Sequence, residues 1–291
     1  MKVLNFGSLN VDYVYQMDHI LLPGETQACS SRNIFCGGKG LNQSIALAKA
    51  GAPVFHAGLI GNGGEILREE LQKNGVDISL LKTVSVPCGH TVIQVDKDGQ
   101  NSILLYGGSN RAISEDYVDE VMSHFEKGDY LVLQNEINEM PYIIDQAYKK
   151  GMVIVLNPSP YDENLSGCDL SKVSLFLINE VEGFQISGEK EPDRILGVMR
   201  QRYPEANVVL TLGGDGSCYM EGEKIYRQGI FPVTAVDTTA AGDTFTGYFI
   251  SSAIEGKDPA ECLRIAARAS SISVTRPGAA GSIPLREEVL S

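Results

Sequence analysis

The stretch Val236–Ile250, VDTTAAGDTFTGYFI, sets one carboxylate, Asp243, where a turn of small residues meets an apolar, aromatic-rich segment. A helix N-terminus carries unpaired N–H groups and partial positive charge, so an acid there has an ordinary use as a cap. It also has a chemical use. Ala240, Ala241 and Gly242 have little or no side chain, so an anion can approach their amides closely. With phosphate on those amides, Asp243 would face an incoming hydroxyl. It would act as general base while the amides stabilise the transferring phosphoryl group.

Other stretches could supply partners, and each has a plain structural alternative. In CGGKGLNQSIALAKAG (Cys36–Gly51), Gly38 and Lys39 could present an amide and a cation to a polar ligand, with Asn42 one turn on. The alternative is a glycine turn before a surface helix; the spacing is neither a Walker A loop nor a dinucleotide fingerprint. GSLNVD puts Asn10 and Asp12 two apart, on one side of an extended segment, which suits sugar hydroxyls or an Asx turn. LQNE ends an apolar strand with Glu136, at the sheet end where α/β proteins bind ligands, or where a loop acid is simply solvated. INEVEG places Asn179 and Glu182 three apart, able to orient water around a magnesium–phosphate group or to cap a helix. TLGGDGS (Thr211–Ser217) could lie against a flat phosphorylated ligand or form a tight turn.

These residues need elements to hold them. Short apolar runs at Val54–Ile60, Tyr130–Leu133, Met152–Leu156, Val173–Ile178 and Val208–Leu212 read as buried strands. Helical patterns separate them at Leu41–Ala50, Glu65–Asn74, Glu115–Phe125, Pro141–Lys150 and Pro192–Tyr203. That alternation predicts a parallel sheet wrapped by helices. A hairpin is expected at Val92–Tyr106 around Asp98-Gly99, and another around Glu221-Gly222. Val11–Tyr15 and Ser30–Phe35 are expected to join the first hairpin in a small antiparallel sheet. The region from Ala241 to Thr275 reads as helical, broken near Lys257-Asp258-Pro259. The expectation is one α/β domain over residues 1–291 with a small sheet as a lid, its strands drawn from about 11–16, 28–36 and 90–106.

Composition narrows the function. The chain has 291 residues and a formal net charge of −13, which disfavours nucleic acid and anionic membranes as partners. Six cysteines show no C-x-x-C spacing and four histidines do not cluster, so reduced thiols in a cytoplasmic setting are expected rather than a zinc site. No basic leader and no apolar run of membrane-spanning length is visible, so neither a signal peptide nor a transmembrane helix is expected.

Taken in order, GSLNVD, PGET, FCGGKGLNQ, LNPSP, NEVE, TLGGDG, VDTTAAGDTF and SVTRPGAAGSIP resemble the ribokinase-like (PfkB) family of carbohydrate kinases over nearly the whole chain. The resemblance implies a three-layer α/β/α sandwich with a mostly parallel sheet, a small β-sheet lid and a homodimer through that lid. It implies transfer of phosphoryl from ATP, with Mg²⁺, to a sugar CH₂OH, with ribose the expected sugar. Asp243 then matches the general base and Gly242 part of the anion hole. Asn10, Asp12, Gly38, Lys39, Asn42 and Glu136 match sugar contacts. Asn179, Glu182, Thr211, Leu212, Gly213, Gly214, Asp215 and Gly216 match the nucleotide side. Asp237, Thr239, Ser273, Arg276, Gly278 and Ser282 match loops that hold a monovalent cation, K⁺ by the resemblance. Three positions depart from the pattern: Asn62 where an acid is common, Ala267 where a polar residue often lies near adenine, and Tyr106-Gly107-Gly108 in the lid hairpin. Fructose, deoxyribose or a nucleoside are the alternative substrates, and a sugar sensor without catalysis is the alternative class.

Overall fold

The computed structural model describes residues 1–291. The chain begins with β1 (Val3–Phe6), β2 (Asn10–Gln16), β3 (Ser31–Gly37), α1 (Lys39–Ala50), β4 (Val54–Asn62), α2 (Glu65–Lys73) and β5 (Leu81–Pro87). It continues through β6 (His90–Val95), β7 (Asn101–Tyr106), α3 (Glu115–Met122), β8 (Tyr130–Gln134), α4 (Met140–Lys150) and β9 (Val153–Asn157). Then come β10 (Leu175–Asn179), α5 (Glu180–Ser187), α6 (Pro192–Arg202), β11 (Asn207–Thr211), β12 (Ser217–Glu221) and β13 (Lys224–Gln228). Three helices close it: α7 (Ala241–Ile254), α8 (Pro259–Ser273) and α9 (Arg286–Leu290).

The main sheet has nine strands in the order β13-β12-β11-β10-β9-β8-β1-β4-β5. The seven from β11 to β5 run parallel, and the β12–β13 hairpin adds an antiparallel edge. Its strands are apolar on both faces because helices cover both. Leu4, Phe6, Leu131 and Leu133 pack with α3, α4 and α6, whereas Val3, Val132 and Val54 pack with α1, α2, α7 and α8. Fully burying one such side chain is worth about 1.5–3 kcal/mol. These two cores, one on each face, make the three-layer α/β/α architecture that the resemblance implies.

The small sheet has the order β3-β2-β6-β7. Its outer pairs are antiparallel, as the hairpin pattern requires, and β2 and β6 run parallel at its centre. No helix is long and apolar enough to cross a membrane.

Helix α1 is pressed against the chain that leaves β1. A Cβ built on Gly40 would lie 2.3 Å from the Ser8 nitrogen, and one on Gly7 would lie 2.7 Å from the Gly40 Cα. Only glycine at both places allows this backbone approach. It brings the start of α1 onto the end of β1, where the chemistry-bearing residues gather.

Candidate active site

Parallel strands of an α/β sheet converge on their C-terminal ends, and loops there leave a crevice. Asn157 ends β9, Asn179 ends β10 and Thr211 ends β11; all three line a cavity of about 240 Å³. Lys39, Glu182, Thr238, Ala240, Ala241, Gly242 and Asp243 close it from the helix side. A second cavity of about 380 Å³ is bounded by Gly213, Gly214, Gly216, Ile230, Phe231, Val233, Ala267 and Ser271. Both are lined by Thr211, Thr238, Ala241, Gly242 and Phe245, so the two spaces adjoin at the start of α7.

That helix start is built unusually. Ala240 takes a left-handed conformation, φ 60°, uncommon for a residue with a Cβ. The turn opens the helix at the edge of the cleft. The Ala241 N–H donates to Thr238 O at 3.2 Å, so it is spent. Those of Gly242 and Asp243 make no hydrogen bond within the chain. Of the small-residue amides singled out in the sequence, Gly242 is therefore freer to receive an anion than Ala241. A Cβ on Gly242 would meet nothing within 4 Å, so the space beside it is open.

The Asp243 side chain is 7% exposed and held from α1: Asn42 Nδ2 donates to Oδ2 at 3.1 Å and Gln43 Nε2 to Oδ1 at 2.9 Å. The Lys39 ammonium is drawn down by burial, but Asp243, Glu136 and Glu182 outweigh this and hold it above its ordinary value. It stays a cation between acid groups.

The other expected sugar-side residues also meet here. Glu136 accepts from the Ser8 hydroxyl and from the Lys39 amide at 3.0 Å. Burial raises it above the ordinary carboxylate range against the pull of Lys39 and those donors. Asp12, raised by burial and lowered by its Thr91 bond, accepts from Thr91 Oγ1 at 2.6 Å across the β2–β6 pair. Asn10 Oδ1 accepts from Asn110 Nδ2 at 2.8 Å. Gly38, φ 95°, turns the chain from β3 into α1 beside Ser8 and Asn10.

On the far side, Asn179 and Glu182 form a reciprocal capping box at the start of α5: the Glu182 amide donates to Asn179 Oδ1 at 2.9 Å and the Asn179 amide to Glu182 Oε2 at 3.0 Å. Both also line the cleft, so the cap does not remove them from it. Gly213, Gly214 and Asp215 make a short 3₁₀ turn after Leu212, and Gly216 leads into β12.

The two expected cation loops come together through one side chain. Asp237 accepts from the Thr239 amide at 2.9 Å and hydroxyl at 2.6 Å, and its other oxygen accepts from the Gly278 amide at 2.9 Å. Burial would raise Asp237, but these bonds outweigh it and hold it low. Ser273 and Ser282 are buried and bond Ser270 O and Ala279 O, while the Arg276 guanidinium turns away to Glu288.

Several site residues carried no clear sequence signal. Thr91 and Asn110 sit in a strand and a short turn with nothing to mark them. The wall formed by Ile230, Phe231 and Val233 has neither helical nor strand period. Gln43 stood beside Asn42 in the quoted motif, and adjacency was its only signal. Asn62, where an acid is common, is an exposed residue ending β4, and Ala267 does line the second cavity.

The model of the pfkB family of carbohydrate kinases matches residues 1–286. A ribokinase of Haemophilus influenzae is 35% identical over 294 residues, covering 98% of this chain and 95% of its own. Among solved structures, Arabidopsis thaliana ribokinase complexed with ribose and ATP has a TM-score of 0.87 at 31% identity, over 99% of this chain and 97% of that one. Thermotoga maritima ribokinase has a TM-score of 0.85 at 33% identity, over 100% and 98%. With the family match spanning almost every residue and the cleft assembled from the same ordered motifs, this chain belongs to the pfkB family of carbohydrate kinases.

Proposed function

We propose that the chain transfers the γ-phosphoryl group of ATP to the primary hydroxyl of D-ribose, with Asp243 as general base. The observation that carries this is the Asp243 carboxylate beside two unspent amides, those of Gly242 and Asp243, at the mouth shared by two cavities. The sugar hydroxyl loses its proton to Asp243 as its oxygen attacks the γ-phosphorus. The bond to the β-phosphate bridging oxygen breaks and ADP leaves. The two amides, with the Lys39 cation, stabilise the charge spread over the transferring oxygens.

Asn10, Asp12, Asn42 and Glu136 hold the sugar hydroxyls, with Gly38 allowing the ring to approach the backbone. The sugar then lies between the small sheet, as a lid, and α1. The second cavity takes the nucleotide, its apolar wall of Ile230, Phe231 and Val233 suiting a flat base. Asn179 and Glu182 would orient the waters of Mg²⁺, which neutralises phosphate charge when bound. Asp237 and the carbonyls of the loop from Ser273 to Ser282 offer an all-oxygen donor set that would suit K⁺. The lid exposes apolar side chains on both faces, Phe35 with Ile103 and Leu105 on one and Ile34 with Leu104 and Tyr106 on the other, and these surfaces support a homodimer through the small sheet.

A coupled ATP-turnover panel over ribose, deoxyribose, fructose, other pentoses and adenosine tests the substrate. Ribose is expected to give the highest kcat/KM, because a site built to bond a hydroxyl leaves partners unpaired with an analogue that lacks it. A higher value for fructose or adenosine would assign the chain to another member of the family.

A further inference from the structure

Behind Asp243 runs a line of buried polar side chains that the reaction does not touch. Gln43 Oε1 accepts from Gln134 Nε2 at 2.7 Å, and the same nitrogen donates to Asn5 Oδ1 at 2.9 Å. Asn5 Nδ2 donates to Gly40 O and to Ser44 Oγ, both at 2.7 Å. Ser44 Oγ lies 2.8 Å from His56 Nδ1. Asn5, Gln43, Ser44, His56 and Gln134 are all 0% exposed. None offers surface to a ligand in the cleft.

The placement runs against the pattern of the sheet. Asn5, Gln134 and His56 sit on the adjacent strands β1, β8 and β4, on the face turned to α1. Neighbouring positions on that face hold Val3, Val132 and Val54. Apolar residues would serve packing better, since a buried amide gains nothing in stability unless every bond is made. Here they are not all made: Gln134 Oε1 has no partner. The line makes sense as a device for direction.

Each amide in it has one permitted orientation. The Gly40 carbonyl only accepts, so Asn5 must turn its NH₂ there and its oxygen toward Gln134. Gln134 must then present NH₂, which donates to both Asn5 and Gln43. Gln43 is left with its oxygen engaged and its NH₂ facing Asp243. At the far end, the Ser44 hydroxyl receives from Asn5 and so donates to His56, which burial keeps neutral by lowering it to about 3.

We infer that Gln43 is a positioning residue for the Asp243 carboxylate, and that Gln134 and Asn5 act through it by fixing which end of its amide faces Asp243. This rests on the reading of Asp243 as general base. A flipped Gln43 would put its oxygen against the carboxylate and release the angle at which Asp243 meets the sugar hydroxyl.

The test compares kcat and sugar KM for the parent, Gln43→Met, Gln134→Met and the double variant, with thermal melts as a check on folding. Loss of a hydrogen bond to a charged group predicts kcat lower by about 10- to 100-fold in Gln43→Met, with KM nearly unchanged. Gln134→Met should lower kcat less, by about threefold to tenfold, because the carboxylate still turns the Gln43 NH₂ toward itself but the amide is no longer anchored at its oxygen. The double variant should match Gln43→Met, since Gln134 has no other route to the base. Effects that multiply in the double variant, or a parental kcat in Gln43→Met, would overturn the inference. If Gln134→Met does not fold, Gln43→Met decides alone: lower kcat at constant KM supports the inference, and raised KM at constant kcat sinks it. Asp243→Asn is run in parallel. Near-parental turnover there removes the base reading itself, whereas its loss beside a parental Gln43→Met removes only the relay.

Discussion

Asp243→Asn is the sharpest perturbation because the structure says it is not a silent change. Both carboxylate oxygens accept from amide NH₂ groups, one from Asn42 and one from Gln43. Asparagine has one acceptor and one donor end. Its oxygen can still accept from Gln43, and its NH₂ then requires Asn42 to turn its otherwise unpartnered Oδ1 toward it. Both charge-assisted hydrogen bonds become neutral ones, a loss of about 1–1.5 kcal/mol each. Removing a buried charge offsets part of this. A net loss of roughly 1–3 kcal/mol should lower Tm by several degrees. Turnover should fall much further, by about 10²–10⁴, the usual cost of removing a general base. That is about 2.7–5.5 kcal/mol in the barrier. The assays are ADP release with ribose, calorimetric binding of ribose and ATP, and a thermal melt. Sugar and nucleotide should still bind, because Glu136, Asp12 and the second cavity are untouched. A variant with turnover within about tenfold of the parent would refute the base assignment. A Tm identical to the parent's would refute the argument from the paired amides.

Two further outcomes are expected. Asp237 ties the loop before α7 to Gly278, so a cation there should shape the amides that receive phosphoryl charge and raise kcat more than ATP affinity. Turnover at constant ionic strength and fixed Mg²⁺ should be greatest in K⁺ and lower in Na⁺ or a bulky organic cation; equal rates in all three would remove the site. Burial pushes His56 down to about 3 from an ordinary 6.5, so the unfolded chain binds its proton first and stability drops as pH falls below about 6.5. The contribution at pH 5 is about 2 kcal/mol, from 1.5 pH units at ~1.4 kcal/mol each. Urea midpoints at pH 7 and 5 should converge in His56→Gln; a gap as wide as the parent's would exclude His56 as the cause.

The strands and helices that frame the cleft were legible because each repeats a periodic pattern. Val208–Leu212 and Tyr130–Leu133 are apolar runs, and Leu41, Ile45 and Ala48 mark one helical stripe. Asp243 and Lys39, beside glycines at helix starts, and Glu136, past a strand end, stood out as candidates by position, each with a plain structural alternative that only the ordered set of motifs weighed against. β5 was missed: LKTVSVP alternates weakly and lies at the sheet edge, where only one neighbour holds it. Asn5, Gln134 and His56 were passed over because each sits inside or beside an apolar run, and periodicity treats an isolated polar residue there as noise. Their meaning comes only from strand order, which sets β8, β1 and β4 side by side. The walls around Ile230 and Phe231 belong to irregular chain with no period at all.

The parallel pairing of β2 with β6 also sets an order of assembly. The Asp12–Thr91 bond joins residues 79 apart, and α1, β4, α2 and β5 all fold between them. Closing so long a loop costs entropy before the pairing gives anything back, so local helices and the β6–β7 hairpin form sooner. A nascent or refolding chain thus regains most of its helical signal before Asn10 and Asp12 have a completed sheet to stand on. Recovery of sugar binding should lag behind recovery of secondary structure, which makes ribose a reporter of the last long-range contact rather than of the fold as a whole.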